Sequence, residues 1–355
     1  MQSIIQTNFI SEVKMKAALY VSPNMIEVRH DLPEPEFKEG VLVKVKTTGF
    51  CATDVKMIKG LKKPYRPMPM SFGHEFSGVV TKSTMDSYKE GDRVSFAPFC
   101  GCGHCKFCLT GLEQLCKSKT NFSDGSTSDF VAVKPWLAQK AGWIVPEDVT
   151  WEEAAMTEPL ACVILGLRST GFVPGESVLV LGAGFMGMLN ALLAKSWGAS
   201  RVMVSEPSEF RRELAKSFGM DVIDPTKGAD IGEWARSLCG EGPDVLVAAA
   251  GTKSVADAAF QAAGLGTRIH LFGGMPTGTM LDVSADQVHY KRVTILGTSG
   301  FRSVDVMTAA DMIKGHAIDL KPLITHRFSV EEAQAAYEMA QQPNALKVMM
   351  ENKDF

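Results

Sequence analysis

The sequence predicts an α/β protein in two parts: a doubly wound parallel sheet joined to a mostly β, barrel-like unit. Three observations carry that expectation. The chain has 355 residues, and at roughly 100–200 residues per domain two domains are the first guess. From about Glu158 onward apolar strands alternate with helical segments, the rhythm of a parallel sheet. Before that point short β runs are separated by Gly, Pro and Asp, which suits an all-β unit.

In chain order, Met15-Lys16-Ala17-Ala18-Leu19-Tyr20 reads as the first strand. Residues 1–14 read as an extra arm or an alternative start, without the basic start and apolar run of a secretory signal. Residues 41–46 alternate apolar and polar, and Gly78-Val79-Val80 precedes Gly91-Asp92-Arg93-Val94. In the second part, strands are expected over 178–181, 201–204, 244–249, 268–272 and 293–296, with a helix over 185–197. A last helix is expected over 329–341, with Ser329 as N-cap and Glu331 and Glu332 in its first turn.

Composition narrows the functional classes. Lys+Arg is 37 and Asp+Glu 40, a net charge of −3. That near balance argues against a dedicated nucleic-acid binder, which would be basic. The longest nearly apolar run, 178–194, falls just short of a membrane span and is broken by Gly182, Gly184, Gly187 and Asn190. A buried strand followed by a helix is the better reading, and no membrane partner is expected.

Five of the eight cysteines crowd into residues 100–116. A small secreted protein would spread its cysteines as disulfides, so this crowding favours metal binding in a reducing cytoplasm. Cys102, Cys105, Cys108 and Cys116 give the spacing C-x2-C-x2-C-x7-C, able to wrap a tetrahedral Zn²⁺ in a closed, structural site. An iron–sulfur cluster is the alternative for four thiolates. Cys100 has no assigned role.

Residues 178–181 run straight into Gly182-Ala183-Gly184-Phe185-Met186-Gly187, then a helical run, then a strand ending near Glu206. A lone G-x-G-x-x-G is a weak signal. In the setting strand, glycines, helix, strand, acid it marks a dinucleotide site. Gly182 allows the tight turn, Gly184 lets backbone approach the pyrophosphate, and Gly187 lets helix and strand pack closely. The helix N-terminus offers unpaired N–H groups to the phosphates. Glu206 stands where an acid accepts from the adenosine ribose hydroxyls and repels a 2′-phosphate, which favours NAD over NADP. Arg211 and Arg212 weigh the other way, since a nearby arginine could neutralise that phosphate.

Cys51-Ala52-Thr53-Asp54, Gly73-His74-Glu75 and Thr157-Glu158-Pro159-Leu160 complete the set. With the cysteine loop and the glycine motif, in this order, the chain resembles the zinc-dependent medium-chain alcohol dehydrogenase family, closest to its polyol (sorbitol dehydrogenase-like) branch. The resemblance implies a GroES-like catalytic domain over 1–157, with 299–355 returning to it, and a Rossmann NAD-binding domain over 158–298. It implies two Zn²⁺ per chain and NAD. Cys51 and His74 would be ligands of the catalytic zinc, with an oxygen from Glu75 or Glu158, directly or through water. Asp54 would hold the far nitrogen of His74, and Thr53 would hydrogen-bond the substrate hydroxyl. In that reading Gly182, Gly184, Phe185, Met186, Gly187, Glu206 and Arg211 hold the cofactor. A homodimer or homotetramer is implied as well.

One position departs from the family. Lys56 stands where members commonly carry a proton-relaying histidine, and an ammonium is a poor base near neutral pH. It faces solvent, contacts substrate, or leaves the relay to Thr53 and the cofactor ribose. The implied reaction is hydride transfer from a secondary alcohol, polyol or sugar-derived. The alternatives are an amino-alcohol substrate (L-threonine or an aminocyclitol) and a non-catalytic nucleotide-binding relative. Lys56, Lys59, Lys62, Lys63 and Arg66 form a basic stretch between Cys51 and His74. It reads either as capture of an anionic substrate, phosphorylated or acidic, or as a solvated loop.

Overall fold

The computed structural model describes residues 14–353. Its first part holds β1 (Lys14–Ser22), β2 (Met25–Pro33), β3 (Val41–Gly49), α1 (Ala52–Ile58), β4 (Met70–Ser71), β5 (Phe76–Ser83), β6 (Arg93–Phe96) and β7 (Phe99–Cys100). Next come α2 (Lys106–Leu109), β8 (Thr120–Asn121), β9 (Phe130–Val133), α3 (Pro135–Ala141), β10 (Gly142–Ile144), α4 (Trp151–Ala155) and α5 (Thr157–Ser169). Lys14 opens β1 opposite Pro33, so it belongs to the strand and not to an arm. The rest of the expected arm lies outside the described residues.

The second part runs β11 (Ser177–Leu181), α6 (Phe185–Ser196), β12 (Arg201–Ser205), α7 (Glu209–Ser217), β13 (Asp221–Ile223), α8 (Ile231–Cys239), β14 (Val245–Ala248), α9 (Lys253–Ala262), β15 (Arg268–Leu271), α10 (Ala285–His289) and β16 (Thr294–Gly297). Its six strands are all parallel in the order β13-β12-β11-β14-β15-β16. Counted within the sheet, that is 3-2-1-4-5-6, the doubly wound order whose topological switch lies between β11 and β14. Burial on both faces explains the unbroken apolar texture: every residue of β11 and β14 is buried.

The chain then returns through α11 (Ser303–Lys314), β17 (Ile324–Ser329), α12 (Ala333–Met339) and β18 (Lys347–Glu351). Strand β18 pairs with β3, so the C-terminus completes the first sheet, ordered β10-β6-β5-β3-β18-β17 with β9 also on β3. Junction helix α5 is tied to α11 by Arg168 and the buried Asp305, 2.7 Å apart. The single helix expected over 329–341 is instead a 3₁₀ turn, Val330–Glu332, leading into α12. Ser329 is the N-cap as expected, and its N–H and hydroxyl both donate to the Glu332 carboxylate. No helix among the described residues is long and apolar enough to cross a membrane.

Candidate active site

Strand β11 delivers the glycine turn at the carboxyl edge of the parallel sheet. Gly182 has φ +96°, open to glycine and few other residues. A Cβ on Gly187 would meet the Gly182 carbonyl oxygen at 1.8 Å, so close packing of turn and helix demands glycine there. Gly184 caps α6, which starts at Phe185 and Met186. Glu206, just past β12, is buried beneath this turn. One carboxylate oxygen accepts from the Ala183 N–H at 2.6 Å and the other from the Ser208 N–H at 2.9 Å. Both oxygens therefore already hold backbone donors, where the sequence alone offered them to ribose hydroxyls. Each keeps a second acceptor site. Arg212 turns away into an ion pair with Asp224 at 3.0 Å. Arg211 lies over the turn, within 3.8 Å of where a Gly184 Cβ would stand, and donates to the Ala345 carbonyl. Its buried Nε has no hydrogen-bond partner among the described residues.

The second cluster forms where β3, α1, β5 and α5 meet. Cys51 is the N-cap of α1: its sulfur accepts from the Thr53 N–H at 3.4 Å, and Asp54 accepts from the Cys51 N–H at 3.3 Å. That capping fixes the thiol and Asp54 on one turn. Asp54 is fully buried, with Oδ1 3.5 Å from His74 Nδ1. The pairing leaves Nε2 of His74 as the nitrogen for a ligand. Burial works against protonating His74, but the charges of Asp54 and Cys51 outweigh it and hold its pKa well above the ordinary value. Ligand atoms of Cys51, Asp54 and His74 lie within 4.8 Å of one another, as do those of His74, Glu75 and Glu158.

Glu75 is buried against an equally buried Lys347, whose ammonium also donates to the Phe50 carbonyl and lies 4.4 Å from the centre of the Phe185 ring. One ammonium thus touches both the acid beside His74 and the first residue of α6. Glu158 lies in the first turn of α5; burial pushes its carboxyl up to about 7. Thiolate, imidazole and carboxylates at this spacing suit Zn²⁺, and the orphaned buried Oδ1 of Asp54 fits a residue that orients a ligand histidine. Lys347 escaped the sequence reading. Its signal was a charge at the head of the apolar run Lys347-Val348-Met349-Met350.

The cysteine loop gathers Cys102, Cys105, Cys108 and Cys116 within the same 4.8 Å. Backbone N–H groups, that of His104 first, hold the Cys102 thiol down at about 6, which prepares a thiolate. Glu113 pins the loop. It accepts from the Gly101 N–H at 2.8 Å, the Ser303 N–H at 2.9 Å and the Ser303 hydroxyl at 2.5 Å. Cys100 stands apart, buried in the barrel core, and burial pushes its thiol up to about 12.

The basic stretch is less free than its sequence suggests. Arg66 is paired with Asp124 at 3.2 Å and donates to the Phe122 and Ser123 carbonyls. Lys62 lies over the Tyr65 ring. Lys56 is exposed, and its ammonium donates at 3.3 Å to the carbonyl of Gly274, in the loop after β15.

With this geometry in place, the comparisons with known proteins are specific. Residues 38–142 match the family described as "Alcohol dehydrogenase GroES-like domain", and residues 186–315 match "Zinc-binding dehydrogenase". An L-threonine 3-dehydrogenase of Bacillus licheniformis is 30% identical over 330 residues, 90% of this chain and 93% of that protein. A D-xylulose reductase A of Aspergillus terreus is 30% identical over 335 residues, again covering 90% and 93%. A solved Sinorhizobium meliloti protein, classed as a zinc-binding dehydrogenase and bound to NADP, superposes with TM-score 0.87 at 28% identity over 95% of this chain and 99% of its own. The chain belongs to the zinc-dependent medium-chain alcohol dehydrogenase family.

Proposed function

We propose that this protein is a zinc-dependent oxidoreductase that moves a hydride between a secondary alcohol and NAD, with residues 158–298 as the cofactor half and 1–157 plus 299–355 as the catalytic half. The observation that carries the reading is Lys347, whose ammonium touches both Glu75 of the His74 cluster and Phe185 at the glycine turn. A shared side chain between the metal-ligand set and the dinucleotide turn supports a single reaction that uses both.

Cys51 and His74, with Glu75 or Glu158, hold the catalytic ion; the four-cysteine loop holds the structural one. When bound, zinc supplies Lewis acidity to the alcohol oxygen, and the nicotinamide supplies the hydride acceptor. Asp54 sets the tautomer of His74 through Nδ1. Thr53 stands at the start of α1, next but one to Cys51, to hydrogen-bond the substrate hydroxyl. Lys56 is engaged as a donor to the Gly274 carbonyl, which leaves Thr53 to pass the proton towards water. Glu206 beneath the glycine turn favours NAD, since a 2′-phosphate there would meet a carboxylate as like charge.

A polyol or sugar-derived alcohol is the preferred substrate class. The threonine dehydrogenase relative favours an amino alcohol as the second reading. Arg66, neutralised by Asp124, weakens the case for an anionic substrate. A panel of polyols, polyol phosphates, L-threonine and aminocyclitols, followed by NADH absorbance, separates these readings. Turnover of a polyol with NAD supports the first, and turnover of L-threonine alone replaces it with the second.

A further inference from the structure

Cys162 is a side chain at this site that no step above uses. It sits on α5, four residues after Glu158, so the two share one face of the helix. Its Sγ lies 3.5 Å from Glu158 Oε1, with the thiol as donor. A thiol donates weakly. Its partner, however, has nothing else: among the described residues this is the one hydrogen bond that the Glu158 carboxylate makes. Glu75 is fixed by Lys347 and His74 by Asp54, both from other elements. Glu158 is held only from within its own helix. The last torsion of a glutamate is broad, so an unheld carboxylate would sample many approaches to a shared ligand set.

We infer that Cys162 is a positioning residue: its S–H holds Oε1 of Glu158 and so fixes how that carboxylate faces the Cys51/His74/Glu75 set. The inference rests on reading Glu158 as part of the catalytic zinc site. A ligand carboxylate held by an outer hydrogen bond binds metal more tightly than a free one, and loss of such partners costs about 10–100-fold in affinity or activity. Serine at 162 keeps an O–H donor on the same bond; alanine removes it.

The test compares the full-length protein with its Cys162→Ala, Cys162→Ser and Glu158→Gln variants. Two readouts are independent of turnover: Zn²⁺ affinity by competition with a chromophoric chelator, and the visible absorption bands of the Co²⁺-substituted protein. Cys162→Ala is expected to weaken binding of the more labile ion about tenfold and to shift the Co²⁺ bands. Cys162→Ser is expected to stay within about twofold of the parent on the same reasoning. Should Cys162→Ala prove unstable, Cys162→Val fills the volume without a donor and carries the same expectation. Parent-like affinity and spectrum in Cys162→Ala, or a serine variant no better than alanine, would overturn the inference. If Glu158→Gln changes both readouts while Cys162→Ala changes neither, only the role of the thiol falls. If Glu158→Gln is also silent, the reading of the zinc site falls with it.

Discussion

In the proposed zinc site, one buried atom of Asp54 is set to orient His74. Its Oδ1 has no hydrogen-bond partner among the described residues and lies 3.5 Å from His74 Nδ1. Asp54→Asn keeps the shape but loses the charge, so zinc affinity or kcat should fall about 10–100-fold. Isothermal titration of apo-protein with Zn²⁺ checks it, and parent-like affinity would contradict the assignment. His270 offers a second residue-scale test. It is fully buried, and burial lowers its pKa to about 4. The unfolded chain takes up a proton near the ordinary 6.5, whereas the folded chain refuses it until about 4. Stability is therefore full above about pH 7 and is lost as pH falls from 6.5 towards 4, by up to about 3 kcal/mol. Denaturant unfolding of His270→Gln should show a flatter pH dependence than the parent over that window. Cys51, His74 and Glu158 were legible at this scale because each sits in a short motif. Lys347 was not, since only folding brings Glu75 and Phe185 to it; Cys162 lies four residues from Glu158 on the same helix but belongs to no motif.

At the scale of elements, local chemistry decided what could be read. Strand β11 and its glycine turn were plain because a buried parallel strand is apolar throughout. The last helix was drawn too long: the capping pair Ser329 and Glu332 is local and was visible, but the tight 3₁₀ turn that follows is not distinguished by apolar spacing. The anchoring of the cysteine loop by Glu113 joins segments 190 residues apart, beyond any spacing argument. That anchor is testable. Glu113→Ala leaves the four thiols intact but removes three hydrogen bonds to a carboxylate, and should destabilise the loop by about 2 kcal/mol. Cys105→Ser removes a ligand and should cost more, because a structural zinc contributes folding free energy. Limited proteolysis within residues 101–116 should rank the parent slowest, Glu113→Ala intermediate and Cys105→Ser fastest. Equal rates would contradict both assignments.

Over the whole molecule, two halves with different textures meet at one charge. The return of β18 to β3 places Lys347 between Glu75 and Phe185, so one ammonium lies between the His74 cluster and the glycine turn. Two zinc ions per chain are expected by elemental analysis, falling to one in Cys51→Ser. The most direct test is NADH formation by the zinc-loaded protein and by its Cys51→Ser variant, across secondary alcohols that include polyols and L-threonine. The expected result is reduction of NAD by at least one of these alcohols, with kcat/KM at least about tenfold above that for NADP, consistent with about 1.4 kcal/mol of like-charge discrimination. Cys51→Ser should lose that activity while circular dichroism shows the fold retained. Undiminished turnover in Cys51→Ser would contradict it.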